Sequence, residues 1–164
     1  MAQGVLYIHS VSRALAPHIE WAASGVLGVP VRIRWYDQPA GPGLQRAEIA
    51  WSGRAAVGAE LATALRGWND LRYEITQEPT ATDTGSRWMY TPDLGIHHTA
   101  MDHEGNATLT EDRIRHCIAL AGNRPHRIPD EIDRALGRDW DEELEHYRRA
   151  AIEESAPRRL HLVG

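Results

Sequence analysis

Apolar and polar residues follow one another in two similar series along the first 78 residues. In each series, a predicted strand precedes a helix with an apolar face, and a second strand follows. In chain order, the predicted elements are strand 4–9, helix 17–27, strand 31–36, strand 46–51, helix 55–66 and strand 71–76. This βαββαβ order is typical of a ferredoxin-like sandwich. We therefore predict an α+β fold whose four-stranded sheet carries helices on one face and leaves the other face open.

The remaining residues predict a hairpin followed by helices. Residues 79–86 form a loop, which is followed by strands at 87–91 and 95–101. Further predicted elements are helices at 111–121, at 130–136 and from 139 onward, and a short closing strand at 159–163. We expect a single domain, 1–164, composed of a ferredoxin-like core (1–78), a β-hairpin extension (79–109) and a helical C-terminal part (110–164).

The second predicted strand separates apolar from charged side chains. Positions i and i+2 of a strand share a face, so Val31, Ile33 and Trp35 should face the helices, and Arg32 and Arg34 the open side. The candidate residues for binding an anion or a partner on this open face are Tyr7, His9, Arg32, Arg34, Arg46 and Arg72. Acidic residues alternate with them, at Glu48 and Glu74. An alternative is therefore that these charges pair across strands beneath a cover formed by residues 80–164.

Composition narrows the possible chemistry. All 18 basic residues are Arg, which excludes a Schiff base, a P-loop Lys and a Ser–Lys dyad. Arg instead offers planar, bidentate recognition of a carboxylate or a phosphate. The formal net charge is −5, and Arg46 and Glu48 stand where an RNA-recognition motif carries stacking aromatics. Nucleic acid is therefore an improbable partner, and we predict neither a cofactor nor a catalytic set.

Histidine and cysteine residues predict no metal site. His97, His98 and His103 are close in sequence, but neighbours in a strand point to opposite faces, and His103 follows in a turn. Cys117 lies on the apolar side of a predicted helix and is expected in the core. With one cysteine, no signal peptide and no apolar run that could span a membrane, the sequence favours a cytoplasmic protein.

Several longer segments resemble one protein family. They are GVLYIHS at 4–10, PHIEW at 17–21, GVLGVPV at 25–31, LRGW at 65–68, YTPDLGI at 90–96 and WDEELE at 140–145. These blocks extend nearly from end to end, and they resemble actinobacterial proteins of the domain-of-unknown-function family 3145. The resemblance implies a bacterial cytoplasmic protein, and it carries over no catalytic residue. It also suggests, as an alternative, an accessory protein that docks an acidic carrier protein of fatty-acid metabolism.

Three functions are compatible with these residues. The first is a non-enzymatic interaction or ligand-binding domain that self-associates, because ferredoxin-like domains often pair through edge strands or sheet faces. The second is a small enzyme acting on an anionic metabolite, with Arg32, Arg34 and Arg72 as an anion clamp and His9 as acid or base. The third is a docking domain for an acidic carrier protein, bound through the arginine-bearing face. We favour the first.

Overall fold

The computed structural model describes residues 1–155, which form seven strands and five α-helices. The strands are β1 (Ala2–Ser12), β2 (Tyr36–Asp37), β3 (Leu44–Gly53), β4 (Arg72–Gln77), β5 (Gly85–Thr91), β6 (Gly95–Met101) and β7 (Ala107–Thr108). The helices are α1 (Ala16–Leu27), α2 (Val57–Ala64), α3 (Glu111–Ala121), α4 (Ile128–Leu136) and α5 (Arg138–Ser155), with a 3-10 turn at Pro125–Arg127. Within these residues, no helix combines the length and the hydropathy needed to cross a membrane. The closing strand predicted at 159–163 lies outside the described residues.

All seven strands form one antiparallel sheet. Its order is β2-β3-β1-β4-β5-β6-β7, so the long strand β1 lies between β3 and β4. The prediction of an α+β fold is confirmed, and the predicted hairpin extends the sheet beyond β4 as β5 and β6. Each edge of the sheet is a two-residue strand, β2 or β7. Because β2 pairs only with Gln45 and Arg46, and β7 only with Ala100 and Met101, most of the outer backbone of β3 and β6 has no strand partner among residues 1–155.

The strand predicted at 31–36 is wrong in extent, because only the two residues of β2 pair with β3. The backbone before β2 donates its hydrogen bonds to side chains of α1 instead of to a neighbouring strand. The N–H of Val31 donates to Ser24 Oγ at 2.8 Å, and the N–H of Ile33 donates to Glu20 Oε1 at 3.1 Å. This segment therefore follows α1 rather than the sheet.

The side chains of the same segment nevertheless alternate as predicted. Val31, Ile33 and Trp35 are half-buried and pack against the core. Arg32 and Arg34 are exposed. The apolar pattern thus sets which side of the segment is buried, even where no strand partner is present.

The hydrophobic core lies between the sheet and helices α1 and α2. Its largest buried side chains include Leu6, Ile8, Tyr73 and Ile75 from the sheet, Ile19 from α1, Leu61 from α2, and Leu65 directly after α2. The Tyr73 hydroxyl donates to the backbone oxygen of Ala62 at 2.7 Å, so the polar end of this buried ring is satisfied. Helix α1 ends at Gly28, whose φ of 70° is left-handed.

The opposite face of the sheet is covered in part by α5. Helices α4 and α5 are joined at Gly137, whose left-handed φ of 100° favours glycine, and a Cβ at this position would lie 2.6 Å from Met89 Cε of β5. Trp140 Nε1 of α5 then donates to the backbone oxygen of Gly95 at 2.9 Å. Leu144 is fully buried, and the last turn of α5 reaches β3. Helix α5 therefore supplies part of the cover that the sequence predicts.

Candidate functional site

A cleft of about 810 Å³ lies between the sheet and the end of α5. We call it the sheet–helix cleft. Strands β1, β3 and β4 contribute to its walls, together with the segment around β2 and the last turns of α5. Its lining residues are Tyr7, Ile8, His9, Arg34, Tyr36, Gln38, Arg46, Ala47, Glu48, Ala50, Glu74, Thr76, Arg148, Ala151 and Ile152. The volume lies within the range of small-molecule sites.

Tyr7 and His9 present two parallel rings to this cleft. They are two residues apart in β1 and lie on the same face of the sheet, the one opposite α1 and α2. Their ring centroids are 6.2 Å apart, and the ring planes differ by 5°. His9 Nε2 donates to Glu74 Oε2 at 3.3 Å, and Gln38 Nε2 donates to the backbone oxygen of His9 at 2.6 Å. These bonds hold the His9 ring in place beside Tyr7.

Glu74, in β4, is the centre of a charge network. Its side chain is only 12% exposed, and it accepts hydrogen bonds from Arg87 Nε and Arg148 Nη2, both at 2.7 Å. Burial acts to raise the pKa of Glu74, but the hydrogen bond from His9 and the charges of the two arginines lower the pKa far below its ordinary value. Asp141 of α5 accepts from the same two arginines, at 2.8 and 3.0 Å. The network therefore ties α5 to the sheet and gives each arginine carboxylate partners.

Two guanidinium groups lie over the ring of Tyr36 at the rim. The Cζ atom of Arg34 is 5.2 Å from the ring centroid and that of Arg46 is 5.5 Å from it. Arg46 is otherwise occupied, because its Nη2 donates to Glu154 Oε2 at 3.3 Å and its Nε donates to the backbone oxygen of Asp37 at 3.2 Å. Arg34 differs: within residues 1–155 its guanidinium makes neither an ion pair nor a hydrogen bond. It is a cation without a counterion in this part of the chain.

Glu48 is the acidic counterpart of Arg34. It stands opposite Tyr7 in the β1–β3 ladder and lines the cleft. No residue of the described chain makes an ion pair or a hydrogen bond with its carboxylate. Burial first, and then the negative charges of Glu48 and Glu74, raise the pKa of Tyr7 above its ordinary value. The Tyr7 hydroxyl is therefore a neutral hydrogen-bond donor at physiological pH.

A comparison with known protein families assigns the chain to one of them. Over residues 5–161 it matches the profile of a protein family of unknown function, DUF3145. The protein belongs to the DUF3145 family. Neither the curated proteins nor the solved structures contain a match to it. The family expected from the sequence is confirmed, and a role for this DUF3145 protein has to be argued from the geometry of its cleft.

Four of the six predicted binding residues line the cleft of this DUF3145 protein: Tyr7, His9, Arg34 and Arg46. The other two lie elsewhere. The Arg32 side chain is 92% exposed, and its Nη1 lies 3.7 Å from Glu20 Oε2, beside α1. Arg72 Nε donates to Glu143 Oε1 of α5 at 2.8 Å. The expected three-arginine clamp is therefore not formed, because the segment before β2 follows α1 and because α5 covers β4.

Three residues that shape the cleft were missed by sequence reasoning: Tyr36, Gln38 and Arg148. Arg148 follows Leu144 by four positions and so shares the buried stripe of the last helix, a spacing that could have revealed it. Gln38 is 2% exposed, and its Nε2 donates to backbone oxygens of β1 and α5. Nothing in the Pro- and Gly-rich sequence around Gln38 indicates this burial.

The histidines of β6 point to opposite faces of the sheet, as the strand pattern predicts. His97 is buried, shares a hydrogen bond with Thr99 Oγ1 at 2.7 Å and lies beside Trp140. His98 stacks on Trp88 on the other face, with ring centroids 5.0 Å apart. Across residues 1–155, no group of three or more His, Cys, Asp and Glu side chains is arranged to hold a metal ion.

Proposed function

We propose that this protein is a non-enzymatic binding domain whose sheet–helix cleft takes a small anionic molecule with a flat apolar body. One observation carries the proposal: Arg34 lines a concave cleft without a counterion among residues 1–155. The other arginines of the cleft, Arg46 and Arg148, each contact a carboxylate. An anion entering the cleft would therefore find its charge partner at Arg34, whose planar guanidinium can donate two parallel hydrogen bonds.

The aromatic and apolar lining supports a flat body for the ligand. Tyr7 and His9 expose parallel rings, and Tyr36 stands below the guanidinium of Arg34. Small and aliphatic side chains complete the surface, namely Ala50 and Ile152. Ligand sites generally combine such an apolar lining with a few polar groups that set orientation.

The accessibility of the arginines favours a small ligand over an acidic protein. Docking an acidic carrier would use a charged surface that the partner can reach. Four arginines on the face of the sheet toward α5 have side chains that are only 20–24% exposed, and each forms an ion pair with a carboxylate. They are Arg46, Arg72, Arg87 and Arg148. Because these arginines are mostly buried and their charges are neutralised by carboxylates, they should attract an acidic protein only weakly. The carrier-protein alternative therefore has less support than a ligand of cleft size.

We further propose an actinobacterial, cytoplasmic protein that self-associates. The buried free thiol of Cys117 suits a reducing compartment. The surface proposed for self-association is the one around Trp21 of α1, a large aromatic residue that is 79% exposed. Sedimentation of the wild type and Trp21→Ala at two concentrations tests this, and a wild type that stays monomeric at both would contradict it.

A matched pair of arginine substitutions tests the proposed cleft function. The probe is 3-phenylpropionate, a carboxylate on a flat ring, with binding followed by ligand-detected NMR. Arg34→Gln should weaken binding by at least about tenfold, because a charge-assisted hydrogen bond contributes about 1.5–3 kcal/mol. Arg32→Gln is the control, with the same charge change two residues away and outside the cleft. Equal binding by both variants, or no binding by the wild type, would refute the proposal.

A further inference from the structure

We infer that the ligand of the sheet–helix cleft also carries a cationic group, bound by Glu48, so that its chemical class is a zwitterion such as an α-amino acid with a flat side chain. This rests on the proposed function, which assigns the anionic group to Arg34. The juxtaposition of an unpaired guanidinium and an unpaired carboxylate in one cleft carries the inference.

The ring of Tyr36 relates Arg34 to β3, the strand that carries Glu48. Tyr36 pairs with Arg46 in the antiparallel β2–β3 ladder. Glu48 follows Arg46 by two positions and so shares its face of β3, and the guanidinium groups of Arg34 and Arg46 both lie over the ring of Tyr36. The two side chains line the same cleft, yet they form no ion pair with each other. A molecule with two opposite charges can meet both of them at once.

Glu48 differs from the other carboxylates near the cleft. Glu74 accepts hydrogen bonds from two arginines and one histidine, and Glu154 pairs with Arg46. Glu48 alone lacks such a partner in the part of the chain that the structure describes. A ligand with only negative charge at Arg34 is repelled by this carboxylate, whereas an ammonium group on the ligand turns the repulsion into attraction. This disfavours multiply charged anions such as phosphates.

The neighbour of Glu48 also suits a cation. Tyr7 stands directly opposite Glu48 in the β1–β3 ladder, and its ring lines the cleft. Aromatic faces attract ammonium groups, so Glu48 and Tyr7 together form a cation-binding corner. The stacked rings of Tyr7 and His9 would then contact the flat part of the same ligand.

Three probes with the same phenyl ring test the inference: phenylalanine, 3-phenylpropionate and phenethylamine. The wild type should bind phenylalanine about two- to fivefold more tightly than 3-phenylpropionate, the gain expected from one solvent-accessible ion pair. Phenethylamine should bind most weakly, because it lacks the group for Arg34. Glu48→Gln should abolish the preference for phenylalanine without weakening 3-phenylpropionate. The control is Glu60→Gln, which removes the same charge from the exposed Arg54–Glu60 pair and should preserve the preference.

The outcomes separate this inference from the proposed function. If binding of 3-phenylpropionate depends on Arg34 but phenylalanine is not preferred, the zwitterion is refuted and the anion site stands. The zwitterion is likewise refuted, and the anion site retained, if the preference for phenylalanine survives in Glu48→Gln. If Arg34→Gln changes the affinity of no probe, or if none of the three binds to the wild type, both are refuted.

Discussion

The two faces of the sheet hold their helices by different means. Toward α1 and α2, the sheet buries large apolar side chains such as Leu6, Ile75 and the stacked rings of Tyr73 and Tyr90. Toward α5, the sheet presents charged residues, and ion pairs such as Arg148–Glu74 form many of the contacts. The same strands supply both faces, because alternate residues point to opposite sides.

This difference separates stability from binding. Close-packed apolar side chains leave little space for a ligand. Hydrogen-bonded ion pairs instead hold α5 at defined positions along the sheet, and beside its last turns they leave a cleft in which Arg34 and Glu48 lack partners among residues 1–155. Substitutions on the first face should therefore affect mainly the free energy of unfolding, and substitutions at the cleft rim should affect mainly binding.

The largest loss of stability is expected from the apolar face. Tyr73→Ala should lower the free energy of unfolding by about 3–5 kcal/mol, because it leaves a cavity beneath Tyr90. Urea unfolding measures the change. Tyr73→Phe, which removes only the hydroxyl bonded to Ala62, should cost about 1–2 kcal/mol. A loss below about 1 kcal/mol for Tyr73→Ala would contradict a core built on this face.

A smaller loss is expected when the charge network of the other face is cut. Glu74→Gln leaves Arg87 and Arg148 with only part of their carboxylate partners, and a cost of about 2–3 kcal/mol is expected. Asp141, which still contacts both arginines, keeps the cost below that of a fully isolated buried charge. Urea unfolding against the exposed control Glu60→Gln checks this. Equal, small effects of both substitutions would mean that the network does not hold α5.

A smaller effect is expected in the pH dependence of stability, through His97 on the face covered by α5. Burial first, and then the positive charges of Arg113, His98 and Arg87, lower the pKa of His97 from 6.5. The unfolded chain therefore gains this proton at a higher pH than the folded chain, so stability falls as the pH drops below about 6.5. His97→Gln should reduce that fall between about pH 7.5 and 5.5, measured by urea unfolding. A slope identical to that of the wild type would contradict the prediction.

The smallest effect on stability is expected at the cleft rim. Arg34→Gln removes a guanidinium that makes one contact with an exposed ring, Tyr36, so unfolding should change by less than about 0.5 kcal/mol. Arg32→Gln should change the free energy of unfolding as little, because its Nη1 is 3.7 Å from Glu20 Oε2 and its side chain is almost fully exposed. Thermal unfolding of both variants checks this, and a large drop for Arg34→Gln would make the residue structural.

Hydrophobic patterning was sufficient to predict most of the fold. The order of elements follows from local periodicity, and the alternation of Val31, Ile33 and Trp35 predicts which side of their segment packs against the core. The strand at 31–36 was overpredicted because periodicity does not reveal where backbone hydrogen bonds go. Glu20 and Ser24 accept them here, and such long-range side-chain acceptors have no local signal in the sequence.

The candidate site was predicted less completely. Tyr7, His9 and Arg46 lie in strands, so the alternation of faces was enough to group them. Placing Arg72 beneath α5, and Arg148 against Glu74, required knowledge of how the last helix crosses the sheet. That crossing depends on tertiary packing around Gly137, which no pattern within a single element specifies.

Mapping of 3-phenylpropionate onto the protein by backbone amide chemical shifts tests the division between the two faces most directly. The largest shift changes should cluster around the cleft, at Tyr7, Tyr36 and Glu48, while the amides of α1 around Trp21 should stay unchanged. The dispersed spectrum of the folded chain should be retained, since the ligand enters a cleft that is already formed. Shift changes concentrated on α1, or spread through the core between the sheet and α2, would contradict this division between a stabilising face and a binding face.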